Sequence, residues 1–590
     1  MSPKFPFHRS AVLRTLLGLS LLGAMGAAVT LDRNSRANPR HLSVESLDFA
    51  FTEVASEVGI DFVHSETTLD PLLDNVAPHV AALGASVSVT DVTNNGWPDL
   101  YFTTSRFGEP NALYLNQGDG TFREAAAEAG IAQVNLPGKG VSMGAVWGDY
   151  NNSGYEDLLV YRYGYLQLFE NQGDGTFDDV TEAAGLDQWM NANSAVWFDF
   201  DRDGHLDLYI GNFFRDEIDL WNLTTTRIMQ NSFEFASNGG TNRLFRNRGD
   251  GTFEDVTEAM GVGSTRWTTA VGAADLTGNG WPDLYLANDY GPEELFINHG
   301  GERFELARVG LERSSKSGMS VSLGDAYNRG RHDVFVTNIS VPGYIFHGNS
   351  LRMNLLEEVD QMRNVAEGIV ANAGWAWGAQ FADFDNDGLM DLFVVNGFIS
   401  ADPTRDYWYG LSKVAGGQGG LAADAANWSP IGNLSLSGYE QSRVLLNVEG
   451  EFVDVADAVG VDDRYDGRGI AVVDLFNRGV LDVVVANQSA PALVYRNQVS
   501  APNHWIQFRL RGTRSNRSAI GADVTVEFGD RIQRQTVTGG MGFASQNDRR
   551  LHFGLGDAAR IERVEIRWPS GEVQVLEDLP ANQIHEIEEP

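Results

Sequence analysis

Two short stretches place carboxylates where they could share one cation. Asp199, Asp201, Asp203 and Asp207 stand at positions 1, 3, 5 and 9 of a loop with Gly204 at position 6. Asp383, Asp385, Asp387 and Asp391, around Gly388, repeat the spacing. A hard cation such as calcium (Ca2+) takes about six to eight oxygen ligands, and a glycine-turned loop can aim side chains and one carbonyl at a common centre. The start of each loop is that of an EF-hand. Ile210 and Val394, however, stand where that motif has a bidentate Glu, and a strand pattern follows instead of a helix.

Three further loops keep oxygen side chains at the same four positions with less charge. They are Asp91, Thr93, Asn95 and Asp99; Asp149, Asn151, Ser153 and Asp157; and Asp275, Thr277, Asn279 and Asp283. They are expected to bind calcium too, the alternative being Asx-type turns that need no ion. Two more copies, Asp325–Asp333 and Asp474–Asp482, carry an aromatic residue and an Arg (Tyr327 and Arg329, Phe476 and Arg478) at ligand positions. There a guanidinium is expected to pair with the aspartates in place of a metal.

These seven loops are parts of one recurring unit. An apolar strand leads into the Asp-rich turn, a second apolar strand leaves it, and a hairpin follows, as in LYLNQGDGTF (Leu113 to Phe122) and LFRNRGDGTFEDVT (Leu244 to Thr257). Strand composition and Gly-Asp turns make each unit four short strands, one blade of a propeller. The last unit lacks its fourth strand after LVYRNQ (Leu493 to Gln498). A matching segment, FTEVASEVGI (Phe51 to Ile60), precedes the first unit. The expectation is an all-β, seven-bladed β-propeller over 49–499, closed by its N-terminal strand, with a small sandwich-like β domain over 500–590.

Composition narrows the partners. Eighty Asp and Glu against 43 Lys and Arg give a net charge of −37, which repels phosphate backbones and argues against nucleic acid. The chain has no cysteine, which removes disulfides and thiolate chemistry. Lys4, Arg9 and Arg14 precede an apolar run from Thr15 to Leu31, so 1–31 are expected to be a signal peptide or N-terminal anchor and 32–48 a linker. The body is then extracytoplasmic, and a membrane is a partner only if the leader is uncleaved.

The repeats resemble the FG-GAP or VCBS repeats of integrin-type propellers. GTRSNRSAIGADVTV (Gly512 to Val526), GGMGFASQNDRRLHFGLG (Gly539 to Gly556) and VEIRWPSGEVQVLEDL (Val564 to Leu579) resemble the ASPIC/UnbV domain. The combination is similar to the cartilage acidic protein family. That resemblance implies extracellular calcium binding and interaction or adhesion with a protein or glycan, and it carries over no catalytic residue. The alternative is an enzyme with its site in the central funnel, where Lys139, Lys316 and Arg468 precede inner strands. The GxSxG string at Gly140, Ser142 and Gly144 leads into a strand, not the helix a nucleophile elbow needs. Arg248-Gly249-Asp250 occupies a hairpin tip that reads QGD in other copies. Two insertions, about 213–241 and 398–441, are expected on the face opposite the metal loops. Trp189, Trp267, Trp375 and Trp377, with Tyr407, Trp408, Tyr409 and Trp428, are expected there as binding anchors, the alternative being that they pack the insertions onto the rim.

Overall fold

Each repeat becomes a four-stranded antiparallel meander because both faces of its strands are buried. The second blade is typical. Gly140–Gly148 is the innermost strand and is buried throughout, followed by Asp157–Tyr165, Gln167–Asn171 and the short outer strand Phe177–Asp179. Small residues crowd the innermost strands because the neighbouring blade lies directly against them. A Cβ on Gly148 would sit 2.9 Å from the indole of Trp197 in the next blade.

The computed structural model describes residues 47–590 apart from 313, 315, 417–419 and 501. The expected leader and almost all of the expected linker lie outside the described residues. Residues 49–590 form one compact unit.

The blades follow one another around a ring. The innermost strand of each packs on that of the next, and Gly467–Val473 of the last returns to Ser86–Thr90 of the first. The last sheet holds Gly467–Val473, Asp482–Asn487 and Leu493–Val499, and Phe49–Glu53 completes it. That strand pairs antiparallel with Leu493–Val499, Phe51 opposite Asn497 and Glu53 opposite Tyr495. The split repeat therefore closes the ring and covers the edge that Leu493–Val499 would otherwise expose.

A second tie runs between blades. Asn116, Asn171, Asn247, Asn298, Asn354, Asn447 and Asn497 end or nearly end the third strands. In each, the backbone N–H donates to Oδ1 of the ninth-position Asp of its own blade at 2.8–2.9 Å. Each Nδ2 reaches back to a loop carbonyl of the preceding blade at 2.7–3.1 Å. The chain of bonds is complete around the ring.

After the last blade come two sheets. One joins His504–Arg511, Leu551–Gly556 and Ile584–Glu588; the other joins Asp523–Phe528, Arg531–Thr536, Arg560–Arg567 and Val573–Pro580. Between them, the segment from Gly539 to Gln546 enters the middle of the ring. Ser545 and Gln546 pair in parallel with Val87 and Ser88 of the first innermost strand. Trp197 N–H donates to the Gly539 carbonyl (3.1 Å) and Gly542 N–H to the Val321 carbonyl (2.7 Å). Gln546 exchanges two hydrogen bonds with the Trp147 backbone, and the Phe543 ring lies 5.1 Å from Trp377. The glycines are required there: a Cβ on Gly539 would fall 2.2 Å from the Trp197 carbonyl oxygen.

Phe543 is fully buried at the centre of this plug. Phe543→Ala should destabilise the protein by about 3–5 kcal/mol, the usual loss for a buried Phe. Denaturant unfolding is the measurement; an unchanged midpoint would mean that the ring does not rely on the plug.

Candidate metal centres

The seven loops share one backbone design. The first-position Asp accepts the N–H groups of positions 5 and 6: Asp199 from Asp203 (3.1 Å) and Gly204 (3.0 Å), Asp383 from Asp387 (3.1 Å) and Gly388 (2.8 Å). Asp91, Asp149, Asp275, Asp325 and Asp474 do the same. Position 4 is left-handed in every loop, taken by Asn94, Asn152, Arg202, Gly278, Asn328, Asn386 and Asn477. Asn tolerates this region better than most residues, and here it gains a bond as well. Asn94 reaches the Gly154 carbonyl of the next loop, Asn152 that of Gly204, Asn328 that of Gly388 and Asn386 that of Gly479, at 2.7–2.9 Å.

In the two acidic loops this design gathers carboxylates. Asp199, Asp201 and Asp207, and likewise Asp383, Asp385 and Asp391, each offer an oxygen within 4.8 Å of the others. Such a cluster can hold a metal ion. The position-5 carboxylates stand beside the clusters: Asp203 accepts from His205 N–H (3.0 Å) and Asp387 from Leu389 N–H (2.8 Å). Burial and like charge push these groups up. Asp199 rises to about 7 through burial and its neighbours Asp203 and Asp201. Asp387 rises to about 7 through burial and Asp385. Asp207, Asp383 and Asp391 rise well above the ordinary carboxylate range for the same reasons. A bound cation would supply the missing counter-charge.

The less charged loops gather fewer acids. Asp91 and Asp99 hold the first, where the Asn95 carbonyl accepts from Trp97 N–H (2.8 Å) and Thr93 is exposed. In the second, Asn151 and Asp149 both accept from Ser153 N–H, and Asp157 is buried. In the third, the Thr277 hydroxyl donates to Asp283 (3.1 Å) and Asn279 Oδ1 accepts from Trp281 N–H (2.8 Å). Burial pushes Asp99 and Asp283 to about 7 and Asp149 to about 6. In the two remaining copies a guanidinium reaches the ninth-position carboxylate, Arg329 to Asp333 at 2.5 Å and Arg478 to Asp482 at 2.7 Å.

One charged neighbour escaped sequence reasoning. Arg246, on the third strand of its blade, lies 2.6 Å from Asp201 and 3.6 Å from Asp203. The sequence marks only its position, directly before the third-strand Asn. That position holds Leu446 in the sixth blade, and Arg496 in the seventh, where it stacks on Phe476 at 4.2 Å. The sixth loop has a guanidinium of its own, Arg531, which partly offsets the rise of Asp387 and donates to its carbonyl.

The C-terminal sheets lie over the loops. Asn503 donates to the Asp385 carbonyl (2.9 Å), Gly556 N–H to the Asn386 carbonyl (2.9 Å) and Arg531 to the Asp387 carbonyl. Gln507 donates to Asp474 (3.1 Å), Arg517 N–H to Asn152 (2.8 Å), and Arg202 to the Pro569 carbonyl (2.6 Å). Arg534 lies 3.8 Å from Asp275 and Arg509 4.0 Å from Asp91. The arginine-rich tail therefore faces the acidic ring.

On the other face the insertions meet. Met229 N–H donates to the Ala423 carbonyl (3.1 Å), Ala425 N–H to the Thr226 carbonyl (2.8 Å) and Ile431 N–H to the Asn75 carbonyl (3.1 Å). The aromatic residues expected as anchors hold this arch down: Trp267, Trp375, Trp377, Tyr407, Trp408 and Trp428 are buried, Trp189 is half-buried and only Tyr409 is exposed. Their burial is the packing alternative: an apolar side chain in a long loop also serves to pack that loop. The three basic residues of the alternative reading do not converge. Arg468 is buried and donates to the carbonyls of Ala82, Gly397 and Phe398. Lys139 lies over Tyr165 and Lys316 over Phe235. Ser142 is buried and bonded to Asn135 (2.9 Å). Asp250 caps Thr252 as Asp119 and Asp174 cap theirs, so Arg248-Gly249-Asp250 is built like the other hairpin tips.

Known proteins share this plan. The FG-GAP-like repeat family matches residues 91–160, 149–210, 235–286, 275–336 and 325–394, and the ASPIC and UnbV family matches 512–590. Four of the repeat matches begin on a first-position loop Asp. Cartilage acidic protein 1 of Mus musculus is 26% identical over 83% of this chain and 71% of its own. That of Xenopus tropicalis is 22% identical over 86% and 74%. The chain is a homologue of cartilage acidic protein 1. The BP39L lectin from Burkholderia pseudomallei aligns with 71% of this chain and 97% of its own, at a TM-score of 0.42 and 10% identity.

Arg246→Leu, which gives the third-blade loop the residue of the sixth, should raise divalent-cation affinity there about fivefold, the ~1 kcal/mol of a half-exposed charge pair. On an Asp385→Ala background, where that loop is the tightest remaining site, titration calorimetry reads the change. Equal affinity with and without Arg246 would show that the guanidinium does not compete.

Proposed function

We propose that the protein is an exported, calcium-binding β-propeller that acts as a binding module for a protein or glycan. The observation that carries this reading is a ring held rigid on every side. Its axis is filled by the Gly539–Gln546 segment, one face is capped by the C-terminal sheets, and the other is spanned by two insertions. Such a scaffold presents surface loops in fixed positions.

Calcium is the cation this reading assigns to the loops. The donors are all oxygen, the two clusters are triply acidic, and homologous repeats cover six of the seven loops. Asp199, Asp201 and Asp207, and Asp383, Asp385 and Asp391, would hold the ions, each cluster flanked by its position-5 carboxylate. The loops with Asp91, Asp149 and Asp275 would bind more weakly, having fewer charges. Extracytoplasmic calcium suits such sites, and the basic-then-apolar stretch before Asp32 is the signal that would take the chain there. No helix among the described residues is long and apolar enough to cross a membrane.

Binding to the folded state alone raises stability by linkage. Chelation should therefore lower the melting temperature, and Asp201→Ala and Asp385→Ala should each remove one calcium equivalent by calorimetry. The binding role is tested on a glycan array and a panel of extracellular proteins, using the mature chain. Deleting 402–436 should abolish binding, while the two aspartate variants, saturated with calcium, keep it. Binding that survives the deletion yet vanishes in folded aspartate variants would overturn the assignment of faces.

A further inference from the structure

Beneath the arch lies a small cavity of about 40 Å³, set between the blades and the insertions. Trp267, Tyr290, Trp375, Trp377, Phe233 and Phe398 are among the residues of its apolar wall. A dry cavity of this kind would need no polar groups. Here several polar atoms are buried against it without a protein partner.

Gln230, carried by the first insertion, is fully buried, and neither its amide nitrogen nor its oxygen meets a partner. Nδ1 of His79 and the indole N–H groups of Trp375 and Trp377 are in the same condition. Each such group costs about 1–3 kcal/mol when left unmade, so the five on four lining residues need polar partners, from water or from a guest. A second observation converges on the same spot. Tyr290 has φ +59°, a backbone region that bulky residues rarely occupy. It stands beside the buried Asp289, whose Oδ1 accepts the Tyr290 N–H (3.0 Å), and its hydroxyl bonds His79 (3.1 Å). Burial pushes Asp289 up to about 7 and His79 down to about 4, so near pH 7 His79 is neutral and Asp289 is divided between its two forms.

The chemistry of the guest follows from what these atoms lack. Two indole N–H groups and the Gln230 amide nitrogen need acceptors; the Gln230 oxygen needs a donor. An alkylammonium could only donate, and a carboxylate could only accept. Hydroxyl groups do both. The aromatic walls suit the C–H flank that such a molecule presents beside its hydroxyls. We propose that this cavity receives the hydroxyls of a sugar residue, admitted from the insertion face. This deepens the binding-module reading and rests on it, choosing a glycan over a protein. At about 40 Å³ the cavity accepts a hydroxymethyl arm or a pair of ring hydroxyls; the rest of the sugar lies toward the arch.

The test uses the full mature chain in calcium, with glycerol and a panel of free hexoses and N-acetylhexosamines as probes. Saturation-transfer NMR and tryptophan fluorescence read binding. At least one sugar should bind saturably, and Gln230→Leu should weaken it about tenfold or more while the melting temperature stays within a few degrees of wild type. Gln230→Glu, which keeps the acceptor and much of the shape, should retain part of the binding and guards against a folding defect. No saturable binding across the panel, or equal binding by Gln230→Leu, overturns the proposal, as does a crystal structure from a hexose soak with only ordered water in the cavity. If the 402–436 deletion abolishes array binding while Gln230→Leu leaves it intact, the binding face stands and this pocket falls.

Discussion

The ninth-position aspartate of each loop is the constraint on which the structure turns. In six of the seven copies its Oδ2 accepts the N–H of loop position 2, and in all seven its Oδ1 accepts the N–H of the third-strand Asn. One buried carboxylate thereby joins a turn to a strand, and the Asn joins that strand to the blade before. The arrangement brings an acid into a nearly dry site beside the first-position acid. The cost of that burial appears as raised pKa values for Asp99, Asp157, Asp207, Asp283, Asp333, Asp391 and Asp482. Two solutions to the charge problem coexist in one ring. In two loops an Arg occupies the site; in the two most acidic loops the carboxylates stand together and a cation fits.

Those loops do more than turn the chain. Their left-handed Asn residues bond the next loop, and their outward carbonyls receive the C-terminal sheets. The sixth loop alone meets Asn503, Arg531, His552 and Gly556. An ion that fixes the loop therefore also fixes the docking surface of the following domain. The same domain sends Gly539 to Gln546 into the ring, so cap and plug are one element. On the far face the two insertions rest on buried aromatics and border a small, mainly apolar cavity. The acidic loops and the aromatic cavity thus lie on opposite faces of one compact unit.

Much of this was legible in the sequence because it is local and periodic. The spacing Asp-x-Asp-x-Asp-Gly-x-x-Asp names its own turn, and a repeat cut in two names its closure. Phe51 does lie opposite Asn497. The pairing of Arg329 and Arg478 with loop aspartates followed from charge and position. What could not be read depends on contacts between distant residues. GGMGFASQ gives no hint that it crosses the ring, since Gln546 meets Trp147 some four hundred residues earlier. Arg246 reaches the third loop only because strand pleating points it there. Trp375 and Trp428 look like exposed anchors until the arch they hold is seen, because composition reports that a side chain is apolar and not which surface it covers.

The central claim is that a cation in the acidic loops holds the C-terminal domain in register on the ring. Hydrogen exchange with and without calcium tests it most directly. The account predicts that chelation speeds exchange at Asp387 and Gly388, and in concert at Gly556, whose N–H bonds the Asn386 carbonyl across the two elements. Loop amides that open on chelation while Gly556 and the strand Leu551–Gly556 stay fully protected would contradict it.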